Sequence, residues 1–129
     1  MSGILVVDDY AIARTTIREL LRWHEIQVCG EAKDGREAVE KVKQLNPDVV
    51  LLDINMPVMN GMQAALEIRR VSPRTKILFL SVIGAEEARA GARLLGDGYI
   101  QKSNAGTELI PALQRLLPAL PPKAEHGAN

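Results

Sequence analysis

A single cysteine, Cys29, among 129 residues leaves no way to build a disulfide framework or a cysteine-based zinc site. Charge of neither sign prevails, because 16 Lys and Arg stand against 16 Asp and Glu. The basic excess that normally carries nucleic-acid binding is therefore missing. No apolar run approaches the roughly 20 residues that span a bilayer. The start, Met1-Ser2-Gly3, lacks the basic region and apolar stretch of a signal peptide. Internal repeats and low-complexity blocks are absent too. What is there is 47% hydrophobic residues, enough for a proper core in a chain about one domain long. The 25% charged residues come with zero formal net charge, which is not the balance of a disordered segment. The composition predicts a soluble, cytoplasmic single domain.

Apolar runs and helical patterns alternate along the chain. Ile4 to Val7 reads as a strand, and Ala13, Ile17, Leu20 and Leu21 recur at the spacing of an amphipathic helix. Ile26 to Cys29 predicts a second strand, closed by Gly30. Asp34 then caps a helix with Glu37 three residues on and Ala38, Val42 and Leu45 as its apolar stripe, and Asn46-Pro47 stops it. Val49 to Leu52 is a third strand and Ile77 to Leu80 a fourth, with a helix around Met62, Ala65 and Leu66 between them, ended near Ser72-Pro73. A weaker helix over Ala85–Leu95 has only Ala88, Gly91 and Ala92 to bury. Gly98 to Gln101 forms a fifth strand, and Leu109, Leu113, Leu116 and Leu117 mark a last helix. Pro111 would break that helix internally, so its regular part is expected to begin near 108–110, with Pro111 in the first turn. Residues 1–117 are read as the domain and 118–129 as a flexible, Pro-rich tail.

Strands apolar on both faces, alternating with helices, imply a parallel sheet covered on each side. In an open doubly wound sheet the ligand site lies beyond the carboxyl ends of the strands. The residues standing there are polar: Asp8 and Asp9 after the first strand, Asp53 after the third, Ser81 after the fourth and Lys102 after the fifth. Three carboxylates in one crevice repel one another unless a cation intervenes. Hard oxygen ligands favour magnesium, which keeps several waters and accepts carboxylate and phosphate oxygens. Lys102 and the Ser81 hydroxyl complete a cup for an anion, which suits phosphoryl transfer, with Asp53 as a carboxylate nucleophile.

Taken singly, these residues have bland readings. One Asp at a strand end is usually a turn residue or a cap, and Asp9 could cap the first helix. Ser81 alone is a neutral polar residue, and Tyr99 alone a half-buried strand aromatic. Cys29 reads as an inert core thiol, and His24 and His126 as surface residues without metal-ligand spacing. Arg69, Arg70, Arg74 and Lys76 read as a solvated face near a helix end. Coincidence does not explain four matched strand ends. Asp53, between an apolar strand and Met56-Pro57, gains nothing as a cap.

Together, Asp8-Asp9, the stretch Val49 to Asp53 continuing through Ile54-Asn55-Met56-Pro57-Val58-Met59-Asn60-Gly61, Ser81, and Gly98-Tyr99-Ile100-Gln101-Lys102 closely resemble the receiver domain of bacterial two-component response regulators, over about residues 3–117. The resemblance implies an α/β, flavodoxin-like, doubly wound five-stranded parallel sheet of order 2-1-3-4-5 with five helices. It makes Asp53 the phosphoacceptor. Asp9 matches the direct magnesium ligand, Asp8 its partner acting through water, and Asn55 the residue whose backbone carbonyl completes the metal shell. Lys102 matches the lysine that pairs with the phosphoryl group, Ser81 the hydroxyl that bonds it, and Tyr99 the aromatic switch. Asn60 is placed to cap the helix after the acceptor loop.

The implied function is a phosphoacceptor switch in a phosphorelay, not an enzyme, though it assists its own phosphorylation and dephosphorylation. Its implied partners are a sensor histidine kinase or phosphotransfer protein and a downstream protein target. No nucleic acid or membrane is expected to bind the chain directly. A homodimer through the fourth helix, fifth strand and fifth helix belongs to the same expectation. Three positions depart from the pattern: Val82 stands where many receivers have a small residue, Ile83 is apolar at a position that influences dephosphorylation, and Pro111 falls inside the final helix.

The Gly98–Lys102 stretch resembles receivers attached to helix-turn-helix domains, which makes a fragment of a longer transcription regulator the alternative. The residues after 117 are too few for such a domain, which favours a stand-alone or isolated receiver. An aspartyl-phosphate phosphatase would space its two acids two apart after the first strand, whereas here they are adjacent. A nucleotide carrier would need a Gly-x-Gly-x-x-Gly that no strand precedes.

Overall fold

The computed structural model describes residues 3–56, 58–82 and 86–117, with side chains from residue 89 onward in the last segment. The elements run β1 (Ile4–Val7), α1 (Ala11–Trp23), β2 (Val28–Ala32), α2 (Gly35–Leu45), β3 (Val49–Asp53), α3 (Gly61–Val71), β4 (Lys76–Ser81), α4 (Glu86–Leu95), β5 (Gly98–Gln101), a 3₁₀ turn (Lys102–Asn104) and α5 (Ala105–Leu116). The strands form one parallel sheet in the order β2-β1-β3-β4-β5, the doubly wound order that the resemblance implies.

Alternation along the strands divides the core into two layers. Leu5, Val7, Val50, Leu52, Ile77 and Phe79 face one side, where Ala38 and Val42 of α2, Ala64, Ala65 and Ile68 of α3, and Ala92 of α4 cover them. Ile4, Val6, Val49, Leu51, Leu78 and Leu80 face the other, under Ile17 and Leu21 of α1 and Leu109 and Leu113 of α5. The three central strands are therefore buried on both faces, which is why they read as unbroken apolar runs. Each such Leu, Ile or Val contributes roughly 1.5–3 kcal/mol by leaving water.

Helix ends follow their side chains. Asp34 Oδ1 accepts from the Glu37 amide at 2.8 Å, while the Glu37 carboxylate reaches back to the Lys33 amide at 2.8 Å, one residue beyond the cap. Asn46, left-handed at φ 49°, ends α2. Asn60 and Gln63 form a reciprocal capping box at the start of α3.

Two expectations need correction. β2 runs from Val28 to Ala32, not from Ile26 to Cys29, and Gly30 lies inside it, paired with Leu5. As an edge strand it carries Glu31 on its half-covered surface, so it has no apolar run to betray it. Helix α5 starts at Ala105, so Pro111 sits well inside it. Pro111 has no N–H for the Thr107 carbonyl, but both residues are on the exposed side, where that oxygen is open to solvent. The expected tail, 118–129, and residues Ala85 and Ile83 lie outside the described residues. Among the described residues, no helix is long and apolar enough to cross a membrane.

Candidate functional site

Sheet register carries the polar residues to one edge. Val7 of β1 pairs with Leu52 of β3, so Asp8 and Asp53 follow side by side. Asp53 pairs with Leu80 of β4, Ser81 is the next residue, and Gln101 opposite Ser81 leads directly to Lys102. Asp8, Asp53 and Ser81 are buried, Lys102 and Tyr99 are half-buried, and Asp9 and Asn55 are exposed. One carboxylate oxygen from each of Asp8, Asp9 and Asp53 lies within 4.8 Å of the others. The structure thus brings the acidic trio and Lys102 together as the sequence implied.

Lys102 is the charge that lets two acids share a buried site. Its ammonium pairs with Asp8 Oδ2 and lies 3.5 Å from Asp53 Oδ2. Asp8 is further fixed by accepting the Tyr10 amide on Oδ1 at 2.9 Å. It is Asp8, not Asp9, that serves the backbone at the start of α1, and Tyr10 stands at the N-cap position. Burial pushes the Asp53 carboxyl up to about 6. Lys102 pulls it down, Asp8 pushes it up, a hydrogen bond from the Asn55 backbone lowers it, and Asp9 raises it. Residue 55 therefore meets the site through its main chain.

The donor set fits a small hard cation. Three carboxylates converge, only one ammonium answers them, and the buried Asp8 Oδ2 has no aligned hydrogen-bond donor. Magnesium suits such oxygens, since it needs few protein ligands and retains water. Among the described residues this is the one cluster of acids, histidines or cysteines able to hold a metal.

Two glycines hold the loop after Asp53. A Cβ on Gly61 would lie 2.3 Å from the Asp53 carbonyl oxygen, and the Gly61 amide bonds the Ile54 carbonyl at 2.8 Å. A Cβ on Gly35 would meet the Met59 carbonyl oxygen at 2.2 Å, and its amide bonds that oxygen at 3.0 Å. Helices α3 and α2 therefore butt against the loop from two sides. Between them Val58 is left-handed at φ 69°, a strained conformation for a β-branched residue. Nothing in its sequence context signals this.

At the other strand ends, Tyr99 packs on the α2–α4 layer, and the Arg89 guanidinium lies 5.9 Å from its ring centre. Val82 is exposed at the rim.

Sequence reasoning misses the arginines that brace this edge and the far corner. Arg14 of α1 donates Nη1 to the Asp8 carbonyl at 2.7 Å and Nε to Glu31 Oε1 at 3.0 Å. Arg69, expected on a solvated face, instead pins the corner after α4: it bonds the Leu95 carbonyl at 2.9 Å and Asp97 Oδ2 at 2.7 Å. Long-range pairing of this kind has no local sequence signature. Cys29 is half-buried on the edge strand, not in the core, and burial pushes its thiol up. The His24 ring bonds its own helix at the Leu20 carbonyl, and His126 is outside the described residues.

The model of the response regulator receiver domain family matches residues 4–114. The chemotaxis protein CheY of Thermotoga maritima is 38% identical over 118 residues, covering 88% of this chain and 95% of that protein. The nitrate/nitrite response regulator protein NarL of Escherichia coli is 37% identical over 114 residues, with 87% of this chain and 53% of NarL covered. The chain thus spans nearly all of one relative and about half of the other. Among solved structures, the response regulator domain of Thermotoga maritima CheB superposes with a TM-score of 0.82 at 30% identity, covering 94% of this chain and 99% of that one.

Proposed function

Because the chain belongs to the response regulator receiver domain family of two-component systems, we propose that Asp53 is its phosphoacceptor, charged in a magnesium-dependent reaction by a histidine kinase or phosphotransfer protein. The single observation that carries this reading is the buried Asp53 carboxylate beside Lys102 and within reach of Asp8 and Asp9. In the transfer, an Asp53 carboxylate oxygen forms a bond to phosphorus while the bond from phosphorus to the donor's imidazole nitrogen breaks. The electron pair of that bond leaves with the nitrogen.

Asp8, Asp9, Asp53 and the Asn55 backbone carbonyl would hold the cation. When bound, magnesium supplies neutralisation of the charge on the phosphoryl oxygens. Lys102, paired with Asp8 before the reaction, is placed to turn its ammonium to the new phosphoryl group. The Ser81 hydroxyl takes a second oxygen, and Tyr99 responds to the movement. The chain is a switch that assists its own phosphorylation and dephosphorylation rather than an enzyme acting on a separate substrate.

The reading places the chain in the cytoplasm, where it passes its state to a protein target without touching nucleic acid or membrane. The α4, β5 and α5 face is the candidate for that contact or for a homodimer. A second reading is the receiver portion of a longer DNA-binding regulator; NarL, of which the chain covers 53%, is a longer relative. The test is intact mass after incubation with acetyl phosphate and magnesium. The chain should gain one phosphoryl group, and Asp53→Asn or omission of magnesium should prevent it. Equal labelling of Asp53→Asn would remove Asp53 from the role.

A further inference from the structure

We infer that Arg14 is a positioning residue for the cation site, holding the Asp8–Asp9 peptide through its backbone so that the two carboxylates face Asp53. The inference rests on the phosphoacceptor reading for its consequence and on independent geometry for its substance.

Asp8 has its polar groups assigned one by one. Its amide donates to the Ala32 carbonyl at 3.0 Å, continuing the β1–β2 ladder by one step. Its Oδ1 accepts the Tyr10 amide and its Oδ2 meets Lys102. The remaining group is the carbonyl, which accepts Arg14 Nη1 at 2.7 Å. That carbonyl belongs to the peptide that also carries the Asp9 amide, so turning it swings the Asp9 side chain. The Asp9 side chain is exposed, so what the backbone fixes is where it leaves the chain, and hence which directions its carboxylate can reach. Arg14 therefore governs a ligand it never touches.

The guanidinium is itself held at two edges. Nε donates to Glu31 Oε1 at 3.0 Å, and Glu31 also receives Arg18. Glu31 sits in the ladder opposite Val6, and its carbonyl accepts Lys41 Nζ at 3.1 Å. Donors on two edges of a planar group fix its plane as well as its place, which a lysine ammonium cannot reproduce. Glu31 also offsets positive charge that would otherwise oppose a cation a few residues away. The chain of contact runs from the edge strand through α1 to the acidic pair. It is the arrangement by which outer groups orient metal ligands.

The test is a titration with magnesium alone, read by the amide shifts of residues 8–10 and 53–55. Arg14→Met keeps the aliphatic stem, and it should weaken magnesium by about ten-fold, the low end of what losing a group behind a metal ligand costs. Arg14→Lys should recover part of that loss. Arg18→Met, which loses the other partner of Glu31 without touching Asp8, should stay within about two-fold of the parent. Amide exchange at Tyr10, measured without metal, should speed up in Arg14→Met and not in Arg18→Met, because the Tyr10 amide reports the orientation of Asp8. Affinity unchanged in Arg14→Met, or an equal loss in Arg18→Met, would overturn the positioning role. If the parent bound no magnesium, the phosphoacceptor reading would fall. Tyr10 exchange would then decide separately whether Arg14 holds the peptide.

Discussion

Gly61 and Asp53 are in backbone contact: the hydrogen that glycine carries in place of a Cβ points at the Asp53 carbonyl oxygen, and a methyl there would stand 2.3 Å from it. The start of α3 is thereby pressed against the end of β3, and the acceptor loop is folded back over the strand. Gly61→Ala should destabilise the fold by about 3 kcal/mol, because the obstruction is backbone and cannot rotate away. Gly106 is the control. It lies in α5, and a methyl added there would meet nothing within 4 Å, so Gly106→Ala should stabilise by about 0.5–1 kcal/mol. Urea denaturation of both variants checks the pair, and similar effects would contradict the packing account.

Asp53 gives the second prediction, for the metal-free protein in EDTA. Its carboxyl is raised from 3.8 to about 6 in the fold, first by burial. A raised acid favours the folded state while protonated, so its contribution is present below pH 4 and is lost as pH rises through about 6. Asp53→Asn removes that loss. Relative to the parent, the variant should gain about 2–3 kcal/mol between pH 4 and pH 7.5, the two-unit difference at about 1.4 kcal/mol per unit. Denaturation of both proteins across that range tests it, and a constant difference would mean that Asp53 does not titrate there.

The site is more legible in the sequence than the contacts that hold it. Asp8, Asp9, Asp53, Ser81 and Lys102 each follow an apolar run, and parallel strands need only be in register for such residues to meet. The order of the strands comes from resemblance to a family, since alternation alone leaves several topologies open. The bounds of β2 escape the pattern because an edge strand does not need two apolar faces. The local rule for proline is strict and puts Pro111 at a helix start, yet on an exposed face the freed carbonyl is open to solvent, which softens the cost. Arg14, 17 residues from Glu31, and Arg69, 28 residues from Asp97, make pairs that only the assembled sheet brings together.

Arg69 carries the third prediction. Its guanidinium bonds the Leu95 carbonyl, the Thr75 carbonyl and Asp97, while Asp97 Oδ2 also accepts the Ile77 amide at 2.8 Å. One side chain of α3 thus ties the end of α4 to the start of β4. Arg69→Met should lower stability by about 2 kcal/mol, since it leaves half-buried acceptors without their donor. Arg69→Lys should restore little of it, because one ammonium cannot replace the planar fork. Thermal denaturation measures the loss, and faster amide exchange at Asp97, whose amide bonds the Ile77 carbonyl at 2.7 Å, locates it.

The same clamp decides how the domain should move when charged. Helix α4 is fastened at its C-terminal end by Arg69 on the Leu95 carbonyl. Along its length it offers small residues: Ala92 is buried, and Gly91 faces Met62 of α3, where a Cβ would come within 3.1 Å of the thioether. Small residues bury little area, so the end of the helix away from the clamp is the part most easily displaced. A phosphoryl group on Asp53 would draw the Ser81 hydroxyl and the Lys102 ammonium toward its oxygens. On the proposed reading, movement of Ser81 would open space behind β4, and Tyr99, paired with Phe79 across the ladder, would enter it at the expense of its contact with Arg89. An equilibrium moves only by what the new group gains in one state over the other. Beryllofluoride, a phosphoryl mimic, should therefore shift amide resonances mainly in residues 81–104 and leave α2 nearly unchanged. Ser81→Ala should still accept a phosphoryl group but lose most of that response. Changes centred on α1 and α2, or a Ser81→Ala response equal to the parent's, would show that the signal leaves the site by another route.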